Sequence, residues 1–218
     1  MAAVGALGMG IDHWLKDLAP TDRRFAVTAV GTLVFHVVIL ALIHELIRDC
    51  GMSWTEAFGF KRGTNLRCAS MGAAWGLVVL PLNIGLMWIA QKLMVSVSVE
   101  PVAQEAVRVL QQAPTNDRRI VLGFMAVVSA PIVEEIFFRG ILFVWLRQAG
   151  FPKIAFLGTA ALFAATHSNL ATFLPLAFFG FILAWLYDKT DNLLTPIAAH
   201  ALFNLINFTW LILAKQPI

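Results

Sequence analysis

Charge is what this chain has least of. Lysine, arginine, aspartate and glutamate make up 13% of its 218 residues, where a soluble domain carries about a quarter. Apolar residues reach 59% and mean hydropathy is +0.78. The excess lies in long uninterrupted runs, so the expected solvent is lipid. Cysteine is nearly missing too. Cys50 and Cys68 have no metal-ligand spacing and read as inert thiols that leave the redox compartment open. A basic n-region is absent from "MAAVGALGMGI", and the run leads into "DHWLKDLAP" rather than a cleavage site. That argues against a signal peptide and for an N-terminal interfacial helix.

The net charge of +3 does not make a nucleic-acid binder. Basic residues form no stripe; they stand at the ends of apolar runs, in "TDRR", "KRGTNLR" and "NDRR", where they act as membrane-interface anchors. They do not orient the chain either, with 8 Lys and Arg on one side of the expected bundle and 7 on the other. No internal repeat is visible, which weighs against an inverted-repeat transporter.

What is there is an all-α pattern, a polytopic transmembrane helical bundle filling residues 1–218 as a single membrane domain. Spans are expected at Phe25–Ile47, Cys68–Val95 (with Pro81), Ile120–Leu146, Lys153–His167, Thr172–Tyr187 and Asn192–Ala214. That makes about six spans plus one or two interfacial helices. Residues 101–113 predict an amphipathic helix with Val102, Ala106, Val107 and Leu110 on one face. The loop from Arg48 to Arg67, carrying Trp54, Phe58 and Phe60, reads as interfacial.

Against this background the stretch "SAPIVEEIFFRGILFVWL" stands out, because Glu134, Glu135 and Arg139 lie inside a segment that otherwise belongs in oil. A charge at the centre of a membrane helix costs roughly 2.5–3.5 kcal/mol on insertion scales, so such groups need partners and mark functional sites. Glu135 and Arg139 are spaced i, i+4 with the acid N-terminal, the favourable order for an ion pair. Glu134 is rotated about 100° away and faces something else. Candidates are His167 in "LFAATHSN", and His200 with Asn204 on one face of the last helix. A carboxylate and an imidazole can take a proton from water, and imidazole and carboxamide N–H groups can donate to an oxyanion. The combination suits hydrolysis of an amide by activated water with no side-chain nucleophile.

"EEIFFR", "FAATH" and "HALFN", in that order on successive helices, resemble the CAAX protease and bacteriocin-processing (CPBP, or Abi) family, which includes the type II CAAX prenyl endopeptidases. The resemblance covers roughly residues 119–214, the expected catalytic core. It implies that Glu134 and His167 activate the attacking water and that His200 and Asn204 form the oxyanion hole. Glu135 and Arg139 would be structural support, and Phe163 would line or pack the site. It implies no cofactor and no catalytic metal. One carboxylate and two histidines could still hold zinc with a water, a reading that is disfavoured but leads to the same hydrolysis. The implied partners are the bilayer and a membrane-associated peptide or protein substrate, which a prenylating cell could supply lipid-modified, at the cytoplasmic membrane. Rival readings are a proton-coupled transporter and a silent immunity or scaffold protein.

Other polar residues carry bland expectations. "IHELIR" lacks the second histidine of a zinc motif because position 48 is Arg, so His44 and Glu45 read as an interfacial helix end. His36, mid-span, is expected to face protein or an interior cavity. Asn83, beside Pro81, is expected to bond a freed carbonyl. His13 carries no signal.

Overall fold

The computed structural model describes residues 17–60 and 65–214. Among them every regular element is a helix. They are α1 (Pro20–Asp49), α2 (Trp54–Ala57), α3 (Asn65–Ser96), α4 (Glu105–Gln111), α5 (Asn116–Gln148), α6 (Pro152–Thr166), α7 (Leu170–Thr190) and α8 (Leu194–Leu213). The interfacial helix expected at the N-terminus, and His13, lie outside the described residues.

Helices α1, α3, α5, α7 and α8 are long and apolar enough to cross a membrane. The sixth expected span is α6, and it is short. Its 15 residues cover about 22 Å against a hydrocarbon core of about 30 Å. Local chemistry ends it close to the expected bound at His167. Ser168 takes a left-handed φ of 50°, and the Asn169 side chain then accepts from the Thr172 N–H to cap α7.

Much of the outer surface is hydrocarbon, including Leu33, Val37, Leu42, Leu77, Ile84 and Trp88. Lipid gives no hydrophobic reason for helices to associate, so small residues and polar contacts must hold them. Gly72 and Gly76 of α3 show the first device. A Cβ on Gly72 would lie 2.0 Å from the Thr195 carbonyl oxygen, and one on Gly76 would lie 2.8 Å from that of Ala199. The two helices therefore run parallel with backbones nearly touching, which fixes the rotation of α8 and so the direction of His200.

The Arg48–Arg67 loop is not simply interfacial. Phe58 is fully buried, sharing a cluster with Ile43, Ile47, Ile136, Phe143, Tyr187 and Leu193. Its ring occupies the space a side chain at Gly140 would need, 2.5 Å from the position of a Cβ there. The Phe58 carbonyl accepts from the Leu193 N–H at 3.1 Å. Helix α4 also differs from expectation. Leu110 is buried, but with Val109 and Ala113, while Val102 and Ala106 are exposed. The buried residues pack on Phe25, Phe208, Leu211 and Ile212 from the ends of α1 and α8, and that docking surface selects the face. Asn83 is buried, yet neither atom of its amide has a hydrogen-bond partner among the described residues; it does not bond a carbonyl freed by Pro81. The "IHELIR" end is interlocked: Glu45 pairs with Arg48, and Trp54 Nε1 donates to His44 Nδ1 at 3.2 Å.

Replacing Gly72 with Leu drives a side chain into backbone that cannot yield, and overpacking of this kind costs roughly 1–3 kcal/mol or more. A Cβ on Gly31 would meet no atom within 4 Å. Melting of the purified protein in detergent is expected to fall sharply for Gly72→Leu and to stay near wild type for Gly31→Leu.

Candidate active site

Helix α5 carries the central residues and is not a regular α-helix. Two π-helical segments, Met125–Ser129 and Ile136–Phe143, bracket a short α-helical stretch, Ala130–Glu135. Single-turn π-bulges recur at functional sites. The first segment is tied to Pro131. In the π register the Ala130 N–H bonds the Met125 carbonyl. The next partner in that register would be the N–H of residue 131 for the Ala126 carbonyl. Proline has no N–H. Asn204 of α8 fills the gap, its Nδ2 donating to the Ala126 oxygen at 2.8 Å.

Arg139 is fully buried and held from three helices. Nη1 donates to Glu135 Oε1 at 2.8 Å, and Nη2 donates to the Gly180 carbonyl of α7 at 2.9 Å. The guanidinium carbon lies 4.8 Å from the centroid of the Phe163 ring of α6, a cation–π contact in a desolvated place. Nε of Arg139 and Oε2 of Glu135 have no partner among the described residues.

The same Glu135 oxygen takes a second bond, from His200 Nδ1 at 2.8 Å. An ionised carboxylate only accepts, so Nδ1 carries the proton and the ring's other nitrogen is turned outward. That nitrogen, Nε2, lies 3.8 Å from Oε2 of Glu134. The two adjacent acids therefore differ in kind. Glu135 is sealed and committed to Arg139 and His200, whereas the Glu134 side chain is 25% exposed.

His167 ends α6. Its Nδ1 donates to the Phe163 carbonyl at 2.9 Å, because a carbonyl can only accept. Nε2 is thus the basic nitrogen of the neutral ring. His167 makes no direct hydrogen bond to Glu134, Glu135 or His200 among the described residues. It joins the group through Phe163, whose ring meets His167 edge-on at 5.0 Å between centroids and His200 at 5.6 Å. Phe179 closes the other side of His200 at 5.5 Å. Phe163 itself is fully buried.

A buried polar contact outside the motifs touches the same helix. His36 of α1, 5% exposed, has Nδ1 at 2.7 Å from Oγ of Ser129, the last residue of the first π segment. The signal available in the sequence was the cost of an imidazole in mid-span; Ser129 gave none. Among the described residues no set of three or more His, Cys, Asp and Glu side chains is grouped closely enough to hold a metal ion.

Residues 116–206 match the family model described as type II CAAX prenyl endopeptidase Rce1-like, which bears out the resemblance carried by the three motifs. The chain is 31% identical over 98 residues to "UPF0177 protein YxdF" of Lactococcus lactis subsp. lactis (strain IL1403), covering 44% of this chain and 51% of that protein. It is 36% identical over 83 residues to "Putative membrane peptidase YdiL" of Bacillus subtilis (strain 168), covering 37% of this chain and 34% of that protein. The chain thus spans about half or less of the curated relatives it matches. No solved structure matches it. Apolar helices and the family match together make it an integral membrane protein.

Removing one partner of a buried ion pair strands the other, at roughly 3–5 kcal/mol. Glu135→Ala and Arg139→Ala are expected to lower the melting temperature severely in detergent. Glu134→Gln, at a partly exposed group outside the sealed pair, is expected to melt close to wild type.

Proposed function

We propose that this chain is an intramembrane endopeptidase of the CPBP type, which hydrolyses a peptide bond with water activated by Glu134 and His167. The observation that carries the reading is the asymmetry of the paired acids. Glu135 is consumed by Arg139 and His200, while Glu134 is partly exposed with Oε2 facing His200 Nε2 at 3.8 Å. A carboxylate left unspent and reachable in a helix bundle is suited to general-base work.

In this mechanism a water held between Glu134 and His167 Nε2 loses a proton to Glu134 as its oxygen attacks the scissile carbonyl carbon. Negative charge gathers on the carbonyl oxygen. His200, in its doubly protonated form, donates from Nε2, and Asn204 donates with the Nδ2 hydrogen not used on Ala126. The C–N bond then breaks and the proton passes from Glu134 to the leaving amine. Glu135 and Arg139 act by holding the His200 ring, fixing which nitrogen faces the reaction. Phe163 keeps the two imidazoles apart at a set angle.

The reaction proposed needs no cofactor and no metal. The substrate class is inferred from place: a membrane-associated peptide or protein, including a lipid-modified tail where the cell prenylates, cut close to the bilayer of the cytoplasmic membrane. The family match and the printed name of the Bacillus relative support a peptidase of this kind.

The test is proteomics of membrane peptides from cells with the intact protein against cells with Glu134→Gln. Peptides that accumulate only in the variant are the substrates. The purified wild type is expected to cleave them, while Glu134→Gln loses roughly 100-fold or more, the scale of general-base catalysis. Cleavage is expected to survive phenanthroline and EDTA unchanged. Loss under chelation with recovery on adding Zn²⁺ would replace the metal-free mechanism, and full activity of Glu134→Gln would end it.

A further inference from the structure

We propose that His36 is a positioning residue for Glu134, acting from α1 through its hydrogen bond to Ser129 and the π-helical turn that Ser129 closes. The inference rests on the peptidase reading above and concerns a residue outside the matched region 116–206.

Only His36, Ile43 and Ile47 of α1 are buried among the described residues. The two isoleucines pack in the Phe58 cluster at the far end, so His36 is the one polar group this helix buries. Packing does not explain it, since an apolar side chain would fill the place without the cost of desolvating an imidazole. Its 2.7 Å contact with Ser129 falls on the π segment that Asn204 also holds at Ala126. The turn is thus pinned by α8 at one residue and by α1 three residues later.

The pin matters because Glu134 lies just beyond it on the same helix. A π-turn holds one more residue than an α-turn. If the bulge relaxed to α-geometry, all residues past it would rotate by roughly 100° about the helix axis. Glu134 and Glu135 are adjacent and turn together with Arg139, so that rotation shifts both acids against His200 of α8: the acid that must stay free would be driven toward the His200 Nδ1 side, and the committed one would be pulled away from it. His36 thus acts on one carboxylate through the register of the helix that carries it.

The experiment uses the full chain in detergent with the peptide that wild type cleaves and Glu134→Gln leaves intact. His36→Leu removes the bond; His36→Asn places an amide atom near the position of Nδ1 and can restore it. His36→Leu is expected to lower kcat by roughly 10–100-fold, the cost of a small misplacement of a reacting group, with KM nearly unchanged. His36→Asn is expected to recover most of the rate. Ser129→Ala should match His36→Leu, and the double variant should lose little more than either alone. A second readout needs no turnover: the infrared carboxylate band of Glu134, identified by its loss in Glu134→Gln, should shift in His36→Leu and stay in place in His36→Asn. Wild-type kcat in His36→Leu, or equal loss in both variants with the band unmoved, overturns the proposal. Should no peptide be cleaved, the peptidase reading fails on its own and the infrared comparison still decides whether His36 positions Glu134.

Discussion

One carboxylate oxygen holds this bundle's polar interior together. Glu135 Oε1 receives both Arg139 Nη1 and His200 Nδ1. Through Arg139 the connection continues to the α7 backbone at Gly180 and to the face of Phe163 in α6; through His200 it reaches α8. Four helices are thereby referred to one atom. In water such a buried cluster would compete with a well-packed apolar core and often lose. Between membrane helices hydrocarbon packing gives little preference for one arrangement over another, because lipid offers the same contacts. Directional bonds with no lipid substitute can set which faces meet, and this cluster supplies them.

The apolar packing is arranged to serve that cluster. Phe138, Phe163 and Phe179 share a core with Val79, Leu183, Leu186 and Ala199, and Phe163 and Phe179 are the rings that flank His200. The close approach of α3 to α8 at Gly72 and Gly76 leaves His200 one way to point. Toward the other end of the bundle, Phe58, Phe143, Tyr187 and Leu193 form a closed aromatic and aliphatic plug. The end bearing His167 is polar instead: Asn169 Nδ2 donates to the Val102 carbonyl, and Gln104 Nε2 donates to Thr172 Oγ1. The bundle is plugged with hydrocarbon on one side and polar on the side where a basic imidazole stands.

How much of this could be read beforehand depends on whether a residue's neighbour is fixed by helical spacing. The Glu135–Arg139 pair could, since four residues along one helix meet whatever surrounds them. The all-α class and the positions of the long apolar helices could as well, because lipid selects on composition. The motif order located Glu134, His167, His200 and Asn204 within one matched region. Contacts set by tertiary docking could not be read. Nothing in "MSWTEAFGF" distinguishes an interfacial Phe58 from one plugged against Gly140, and the buried face of α4 was chosen by Phe25 and Phe208 from elsewhere. Asn83 shows the converse: a general rule about prolines predicted a partner that the fold does not provide. Helix α6 is as short as its expected bounds Lys153–His167, because "SNLA" could be read as its end; the left-handed Ser168 and the Asn169 cap that end it there are the physical reason.

The π segments were the least legible feature and have the largest consequence. A period of 3.6 residues assigns Glu134 and Glu135 their faces, and it does so correctly only relative to Arg139. It cannot say how the pair is rotated against the turns before it, because a bulge at Met125–Ser129 adds an offset that no periodicity reveals. The clue was Pro131 together with the polar groups that answer it. A missing N–H leaves a carbonyl bare, a bare carbonyl in oil demands a donor, and Asn204 lies one turn beyond His200 on the helix that must face it. Asn204 is therefore required by the backbone of α5 before it is required by any substrate. The bond that heals the proline gap also fixes where the Asn204 amide points, so that under the proposed mechanism the integrity of the helix and the aim of an oxyanion donor would be one constraint.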